Sequence, residues 1–529
     1  MAGHWTHRLE AASPADGTGL ASGLAAARAD RITLTFDETT QYFHDESFGK
    51  ADRLVFESGR DDATPVDNFY LFDLNDREFA GNAKQMTIDA SALGGRLNGE
   101  GGLFEEVAII GTTYVTKYTI RFLGGAGGDQ VQSGVGGDTL RMGGGDDYVS
   151  IGAGDDVVRS GSGADRIESS DGDLNAGDRI DGGSGTDLLI VHNQGLADAD
   201  MANVRSIEII GIDGVGPLTL GANAAAAGVN TLYIDAFYEG VLTIGAGFTG
   251  VLAVEHSGGD PFTDFRLDAS ASSATIVFDA SYNAAERGPT YVGGSGTEDT
   301  IKISNGFSFP GSPPLGANLR HVSGFEHVLV QDLGGDTGAY VILNTAADDI
   351  AAAFQSIDAS QLTAGKSFRM RATDASADLH VLSGGGDDLL ASGSGDDRIE
   401  GGLGKDRMTG GAGDDVFVYR AAADSSDKAI DTIGDFISGE DVVDVTGIGA
   451  AHPSLRGATI GFLGNQADAS GLAASGGNGV LDAVYRTDTH SLWFDINDDG
   501  QYDAGDLHIA LGSTAALTGA DVLVGHVIV

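Results

Sequence analysis

The feature that most constrains this chain is an aspartate that recurs at every ninth residue inside a glycine-rich pattern. The pattern is x-G-x-G-x-D-x-U-x, where U is a large apolar residue, and every copy supplies its apolar residue two positions after the aspartate. The first array contains Asp129, Asp138, Asp147, Asp156 and Asp165 in strict spacing, and then Asp187, which stands outside that spacing. The second array contains Asp388, Asp397, Asp406 and Asp415.

The parts of this repeat together predict a parallel coil of very short strands. Glycine reaches positive φ and lets backbones approach closely, and one inward apolar residue per repeat suits a very short strand that packs on the next layer. If two nonapeptides make one turn of a right-handed coil, residues eighteen apart stack at the strand spacing of about 4.8 Å. Asp129, Asp147 and Asp165 then form one row, and Asp138 and Asp156 form the other.

Such rows predict cation sites. Two carboxylates about 5 Å apart repel by roughly 3 kcal/mol at an effective dielectric constant of about 20, so the rows need a cation between them. Carboxylate and carbonyl oxygens without Cys or organised His select a hard ion, and flexible multi-oxygen geometry favours Ca²⁺ over Mg²⁺. A solitary Gly-Asp pair would be explained by a turn, whereas copies in strict register favour calcium.

The composition of the chain limits the kinds of partner that it could bind. The formal net charge of −48, from 78 acidic and 30 basic residues, argues against nucleic acid or an anionic membrane surface as a direct partner. The 83 glycines together with 41% hydrophobic residues predict an ordered, turn-rich β protein. The absence of Cys excludes disulfides and thiolate sites. The sequence has no apolar stretch long enough for a membrane span, and its start lacks the pattern of a signal peptide.

The nonapeptides resemble those of the RTX family of secreted bacterial proteins. The resemblance implies calcium-binding β-rolls in which the ten matching aspartates and the turn carbonyls are the ligands. The segment DLNAGDRI around Asp178 departs from the pattern, because it lacks glycine at both required places, and Asp178 is not counted among the ligands.

The segment after the second array resembles the C-terminal domain of serralysin-like RTX proteins. The matching features are a phrase with Asp431, Asp435 and Phe436 and an apolar ending after Asp521. By resemblance, this segment implies an uncleaved C-terminal signal that is recognised by the type I secretion machinery. Such a signal would explain why the start of the sequence does not resemble a signal peptide.

A second kind of calcium site is predicted within DINDDGQYDAGD. This segment places Asp495, Asn497, Asp499, Asp503 and Asp506 at positions 1, 3, 5, 9 and 12 of an EF-hand-like loop. Position 12 is Asp in place of the usual Glu, and the flanks SLWF and LHIAL are typical of strands. We therefore expect a calcium loop between strands, with a solvated acidic hairpin turn as the alternative.

The predicted fold class is all-β: calcium-binding parallel β-rolls joined to a β-solenoid or sandwich region, with β-rich N- and C-terminal domains. The predicted segments are 1–30, a poorly ordered leader; 31–120, an N-terminal β domain or cap; 121–192, the first roll; 193–380, a solenoid-like region; 381–420, the second roll; and 421–529, the C-terminal β domain with the export signal. A proline-rich surface loop is expected at 308–316.

Loose repeats support the solenoid-like region. GGSGTDLLIV followed by VRSIEII at 182–210 is echoed by GGSGTEDTIKI followed by VSGFEHVLV at 293–330, with one inserted residue before Asp299 that leaves its metal role open. Phrases of the type TIDASALGG, at 87–95, 233–240, 277–283 and 356–365, are typical of strands with small corner residues. They resemble the linking segments of large RTX surface-layer and adhesin-like proteins, although generic β repeats of an unrelated solenoid are an alternative.

The sequence favours a structural function over an enzymatic one. It contains no H-E-x-x-H motif, no G-x-S-x-G nucleophile elbow and no phosphate-binding or dinucleotide fingerprint. We expect a secreted, calcium-dependent structural protein of the bacterial surface, most like an RTX surface-layer subunit that self-associates into a lattice. The alternatives are a monomeric adhesin or matrix protein that binds a cell-surface glycan, and an extracellular enzyme that acts on polysaccharide.

Overall fold

The chain forms two compact units in a computed structural model: residues 1–257 with 271–274, and residues 258–270 with 275–529. The structure describes strands at 4–9, 31–36, 53–58, 71–73, 85–89 and 105–110, and residues 119–523 except 171, 193–194, 215, 236–237, 239, 258–264, 280–290, 305–321, 332–341, 345–353, 374, 452–459, 469–475, 478, 513 and 515.

Almost all regular structure in the first unit is β-strand. Its strands are β1 His4–Leu9, β2 Arg31–Phe36, β3 Arg53–Ser58, β4 Leu71–Asp73, β5 Gln85–Asp89, β6 Glu105–Ile110, β7 Thr119–Leu123, β8 Gly128–Gln132, β9 Thr139–Gly144, β10 Tyr148–Ile151, β11 Val157–Ser162, β12 Arg166–Ser170, β13 Arg179–Ser184, β14 Leu188–His192, β15 Val204–Arg205, β16 Ile209–Asp213, β17 Leu218–Leu220, β18 Thr231–Asp235, β19 Val241–Ile244 and β20 Val251–Ser257. A 3-10 helix, η1, covers Asp198–Met201, and a short α-helix, α1, covers Ala222–Ala227.

These strands form parallel sheets, and from β3 onward successive strands alternate between sheets on different sides of a coil. One nine-stranded sheet runs β1-β2-β3-β5-β7-β9-β11-β13-β15. The other runs β4-β6-β8-β10-β12-β14-β16-β18-β20, and β17 pairs with β19. Val149 lies in register with Val131 and Ile167, which are each eighteen residues away. The predicted coil of two nonapeptides per turn is confirmed.

The core of the roll is a stack of the apolar U residues. In the first array Val131, Leu140, Val149, Val158, Ile167 and Leu189 are each 0% exposed. Strands such as β8 and β10 alternate buried and half-buried residues along their length, as expected when one strand face points inward. The sequence predicted one inward apolar residue per strand, but some strands bury a second one two residues later, such as Met142 on β9 and Ile151 on β10.

The second unit is also built mainly of parallel strands, and it contains three antiparallel strands, β38 to β40, before its last strand. Its strands are β21 Arg266–Asp268, β22 Thr275–Asp279, β23 Tyr291–Val292, β24 Thr300–Ser304, β25 Val322–Ser323, β26 His327–Gln331, β27 Ile342–Asn344, β28 Ser356–Asp358, β29 Arg369–Arg371, β30 His380–Leu382, β31 Leu389–Ala391, β32 Arg398–Glu400, β33 Arg407–Thr409, β34 Val416–Val418, β35 Asp431–Ile433, β36 Val442–Asp444, β37 Ile460–Gln466, β38 Leu481–Arg486, β39 Ser491–Asp495, β40 Leu507–Leu511 and β41 Val522–Leu523. Its helices are η2 Ala422–Asp424, α2 Thr446–Ala451 and η3 Gly519–Asp521.

Two long series of parallel strands form the second unit. One comprises β22-β24-β26-β28-β30-β32-β34-β36-β41, and the other comprises β27-β29-β31-β33-β35-β40. A shorter sheet contains β21, β23 and β25. The sheet that contains β40 continues with antiparallel pairs, since β39 pairs antiparallel with both β40 and β38. The predicted strands on either side of the acidic loop are therefore confirmed as β39 and β40.

The looser repeats also form the predicted strands. The recurring phrases end β5, β18, β22 and β28 on Asp89, Asp235, Asp279 and Asp358. The internal duplication of the sequence also appears in the structure. In the first copy β14 pairs with β16, and in the second copy β24 pairs with β26. The strands β2, β3 and β5 continue the sheet of the roll, with Thr87 in register with Arg121.

Two predictions lie largely outside the described residues. The leader at 1–30 is described only over His4–Leu9, which forms a strand paired with β2. The proline-rich loop at 308–316 is not among the described residues.

The stacked core predicts a sharp contrast between two adjacent positions of β9. Leu140 is 0% exposed and lies in register with Phe122 and Val158, whereas Thr139 points outward. Leu140→Ala should lower the free energy of unfolding by about 2–5 kcal/mol through a cavity in the stack. Thr139→Ala should change it by less than about 0.5 kcal/mol. Denaturant unfolding in saturating calcium measures both, and equal losses would contradict a core built from the inward face of each strand.

Candidate calcium centres

The turns before each aspartate are built from stacked glycines. Gly143 and Gly161 lie in register on adjacent layers and have φ angles of +113° and +119°. A Cβ at Gly161 would collide with the carbonyl oxygen of Gly143. Glycine is thus required twice, once for the backbone angle and once for the approach of the next layer. The consequence is a column of turn carbonyl oxygens beside the aspartates.

Backbone hydrogen bonds hold the first row of aspartates together. The Asp129 N–H donates to Oδ1 of Asp147 at 2.6 Å, the Asp147 N–H to Oδ1 of Asp165 at 2.8 Å, and the Asp165 N–H to Oδ1 of Asp187 at 2.9 Å. Each carboxylate therefore reaches back to the layer before it. The predicted row of Asp129, Asp147 and Asp165 is confirmed, and Asp187, which the strict spacing left outside, belongs to the same row.

The second row contains a residue that the sequence pattern did not include. The Asp138 N–H donates to Oδ1 of Asp156 at 2.7 Å, and the Asp156 N–H donates to Oδ1 of Asp178 at 2.7 Å. Asp178 is 0% exposed, although its segment lacks the repeat glycines. Asn175 compensates, since its N–H donates to Oδ2 of Asp178 and its Nδ2 donates to the Gly154 carbonyl, both at 2.7 Å.

Glutamates continue the pattern in the duplicated segments. The Asp187 N–H donates to Oε2 of Glu208 at 2.9 Å, and the Asp299 N–H donates to Oε2 of Glu326 at 2.9 Å. Asp299 is 0% exposed, and its Oδ1 accepts the Ile276 N–H at 2.7 Å. The residue inserted before Asp299 therefore does not displace it from the place that Asp187 occupies in the other copy.

The second unit repeats both rows. The Asp388 N–H donates to Oδ1 of Asp406, and the Asp406 N–H donates to Oδ1 of Asp431. In the parallel row the Asp397 N–H donates to Oδ1 of Asp415, and the Asp415 N–H donates to Oδ1 of Asp441. These four bonds measure 2.8–3.1 Å. Asp431 and Asp441 extend the rows into the C-terminal segment, at separations of 25 and 26 residues that a nine-residue search does not find.

The second carboxylate oxygens provide a test of whether a cation fits. Across the described residues, these buried oxygens accept no hydrogen bond at four positions of the rows: Asp156, Asp165, Asp187 and Asp406. A buried carboxylate oxygen without a donor is costly. At Gly182, the space that a Cβ would fill is bordered by the Ser206 carbonyl oxygen and Oδ2 of Asp187. Carboxylate and carbonyl oxygens meet there, which is the donor set that Ca²⁺ requires.

Burial also changes the protonation of the rows. Desolvation is the largest cause in every case, and neighbouring carboxylates add to it. The pKa values rise to about 8 for Asp156, about 7 for Asp165, about 8 for Asp406, about 7 for Asp415 and about 9 for Asp431. Without a cation, these carboxyls hold protons near neutral pH, so protonation relieves the repulsion that the sequence predicted. Calcium would have to displace those protons.

The EF-hand-like loop has a different geometry. Oδ2 of Asp495 accepts the Gly500 N–H at 2.8 Å, and Oδ2 of Asp506 accepts the Asp503 N–H at 2.9 Å. Oδ1 of Asn497 accepts the Asp499 N–H at 2.9 Å. These side chains therefore hydrogen-bond to the backbone of their own loop. The strand context is confirmed, and calcium binding here stays a prediction.

The ligands of a bound ion would come largely from the backbone. Within the described parts of the chain, no group of three or more His, Asp or Glu side chains could hold a metal ion. An ion in the rows would thus be held by carboxylates of adjacent layers together with carbonyl oxygens of the glycine turns. Bound calcium supplies positive charge that links one layer to the next.

In the described parts of the chain, no helix is long and apolar enough to cross a membrane.

Comparison with protein families agrees with this geometry. Residues 123–158, 143–173 and 151–189 match the RTX calcium-binding nonapeptide repeat. Residues 291–524 match the peptidase M10 serralysin C terminal. The chain carries RTX repeats and a serralysin-type C-terminal region. The RTX match covers the first array, and the second array lies within the serralysin-type match together with the EF-hand-like loop. No curated protein matches the chain.

These matches indicate a secreted calcium-binding protein. RTX nonapeptides bind calcium, and the stacked carboxylates of the first array lie within the matched residues. The aspartates at 178 and 187 also fall inside the matched range, in agreement with their place in the rows.

The rows predict which substitutions weaken calcium binding. Asp147→Asn keeps an oxygen for the Asp129 N–H but removes a charge in mid-row. Asp178→Asn keeps an oxygen for the Asp156 N–H but removes the charge at the end of the second row. Both should raise the calcium midpoint of folding several-fold, by about 1–2 kcal/mol per lost charge-assisted contact. Asp146→Asn, one residue away and exposed, is the matched control and should leave the midpoint nearly unchanged. Calcium titration followed by circular dichroism measures all three, and a normal midpoint for Asp178→Asn would remove it from the site.

The raised pKa values predict how pH affects the calcium-free chain. A carboxyl whose pKa rises from 3.8 to about 8, as for Asp156, holds its proton in the folded state at pH values where the unfolded chain has lost it. The stability that this contributes is present at low pH and is lost as pH rises between these two values. In a calcium chelator, the β signal of circular dichroism should therefore be greater at pH 5 than at pH 8. A calcium-free roll that is more stable at pH 8 would contradict the burial of the rows.

Proposed function

We propose that this chain is a secreted, calcium-dependent structural protein of the bacterial surface that assembles into a surface layer. The observation that carries the proposal is the continuity of the buried carboxylate rows. They pass through the matched repeats and on to Glu208 in the first unit and to Asp431 and Asp441 in the second. Calcium would thus stabilise the fold of the protein itself, and the calcium sites would not be confined to a domain appended to another one.

Calcium would couple secretion to folding. Extracellular calcium modules have dissociation constants of about 10⁻⁴–10⁻³ M, far above cytosolic calcium. Inside the cell the rows would lack the cation that links their layers, so the chain would remain unfolded and could pass through the type I secretion machinery. Outside the cell, calcium would bind and the layers would fold.

The proposed role is structural and not enzymatic. The buried carboxylates of the described turns accept hydrogen bonds from the stacked backbone and do not line an open cleft, as the bonds accepted by Asp147 and Asp415 illustrate. The net charge of −48 keeps calcium-free chains apart by repulsion. Calcium in the rows would lower this repulsion, so that folding and association would respond to the same ion.

Electron microscopy of the purified chain before and after addition of millimolar calcium tests this function. We expect ordered sheets or filaments with calcium, and dispersed chains in a calcium chelator. On cells, chelation should release the protein from the surface. Compact single particles at all calcium concentrations would contradict self-assembly and would favour a monomeric adhesin or matrix protein.

A further inference from the structure

Four arginines form a basic face on the first unit. Arg121, Arg141, Arg159 and Arg179 lie on β7, β9, β11 and β13, so four neighbouring strands of one sheet carry one arginine each. All four side chains are exposed. In the described part of the chain none of them forms an ion pair, whereas Arg205 on the next strand pairs with Asp181 at 2.9 Å.

This concentration of unpaired positive charge is unexpected in so acidic a chain, which has 30 basic residues against 78 acidic ones. Arg141 and Arg159 are direct register partners on β9 and β11. Like charges in such cross-strand positions destabilise a sheet. An anionic partner that lies across the strands would remove this cost and would give the guanidinium groups bidentate hydrogen-bond acceptors.

The second unit carries a matching acidic ridge, formed by Asp378, Asp396, Asp414 and Glu440. Each ridge residue comes immediately before a residue of one stacked row: Leu379, Asp397, Asp415 and Asp441. The ridge is therefore one acid per layer through four consecutive layers, and all four side chains are exposed.

Backbone hydrogen bonds fix the spacing of the ridge. The Asp396 N–H donates to Oδ1 of Asp378, and the Asp414 N–H donates to Oδ1 of Asp396, both at 2.8 Å. The other turn edges of the described rolls break such a series. Lys405 follows Asp387 on the opposite edge of the same roll, and Ala164 follows Asp146 in the first array.

We infer that the acidic ridge of one copy docks on the basic face of a second copy of this chain. Both surfaces carry one charged side chain per layer at the parallel-strand spacing of about 4.8 Å. Arg141 and Arg159 are in register and can face two successive carboxylates, whereas Arg121 and Arg179 stand two residues earlier along their strands. The two surfaces differ, so the contact is head-to-tail and can propagate into a filament or lattice. This inference rests on the proposed function and names the contact by which the copies would assemble.

The contact should respond to both calcium and salt. Asp396 and Asp414 directly precede the row carboxylates of Asp397 and Asp415, so the ridge has its regular spacing only when the rows are ordered. The charges themselves are exposed, and exposed ion pairs are screened by salt. High salt should therefore disperse the assembly and leave the calcium-bound fold intact, while a chelator should remove both.

Reciprocal charge reversal tests the contact in the full chain. One variant is Arg141→Glu with Arg159→Glu, and the other is Asp396→Lys with Asp414→Lys. The roll tolerates both exchanges, because Asp181 is in register with Arg159 and Lys405 stands at a ridge-type position. The control is Arg266→Glu with Arg407→Glu, which makes the same charge change at exposed residues of the second unit. Circular dichroism in calcium checks that each variant folds.

Sedimentation velocity and electron microscopy in calcium give the readout. Each reversed variant alone should raise the critical concentration for assembly by at least about tenfold, because like charges then face each other. An equimolar mixture of the two variants should restore assembly, since every contact in an alternating polymer is again complementary. The control should assemble like the wild type. If one variant fails to fold, loss of assembly in the other still tests the contact.

Three results would overturn the inference, and they separate it from the proposed function. Assembly of wild type and both variants alike would reject this contact and leave calcium-dependent assembly standing. A wild-type chain that stays monomeric in calcium would reject the assembly and the contact together. Retention of wild type, but not of Arg141→Glu with Arg159→Glu, on immobilised polyuronate, without rescue in the mixture, would show that the basic face binds an anionic polymer instead.

Discussion

The hydrogen bond from one layer's aspartate N–H to the next layer's aspartate Oδ1 is the interaction on which the structure depends. It places each carboxylate inside the coil. At Asp165 desolvation raises the pKa, and the second carboxylate oxygen accepts no hydrogen bond and is free to bind a cation. The glycine turns follow from the same stacking, because no Cβ fits between successive turns. The apolar core is narrow for this reason, with only one or two inward apolar residues per roll strand.

The sequence was sufficient to predict the coil where the spacing is regular. Copies nine residues apart predicted two rows, the alternating sheets and the buried U residues. With this regular spacing, the separation of two residues in the sequence gives their separation along the axis of the coil. It failed at Asp178, Glu208, Asp431 and Asp441. Turns there absorb extra residues, so the residue at the next height is 21 to 26 positions away. At these positions the remaining sequence signal is an acidic residue followed by an apolar strand. That pattern is too common in the sequence to identify the row residues.

The candidate site was less predictable than the fold. The type of ion followed from the oxygen donors and the absence of Cys, but the length of each row depends on which turns return to the stack. Asn175 illustrates the difficulty, since an amide side chain replaces the repeat glycines and holds Asp178 in the row. The EF-hand-like segment shows the opposite case, because a recognisable motif folds onto its own backbone.

The most direct test of the central claim is anomalous diffraction from crystals grown in calcium, measured at a wavelength where calcium scatters anomalously. The account predicts peaks that follow both rows in each unit, close to Oδ2 of Asp156 and Asp187 in the first unit and of Asp406 in the second. Peaks confined to the loop between Asp495 and Asp506, with none along the rows, would contradict it. In that case the buried carboxyls would be held by protons alone, and calcium would not be what joins the layers.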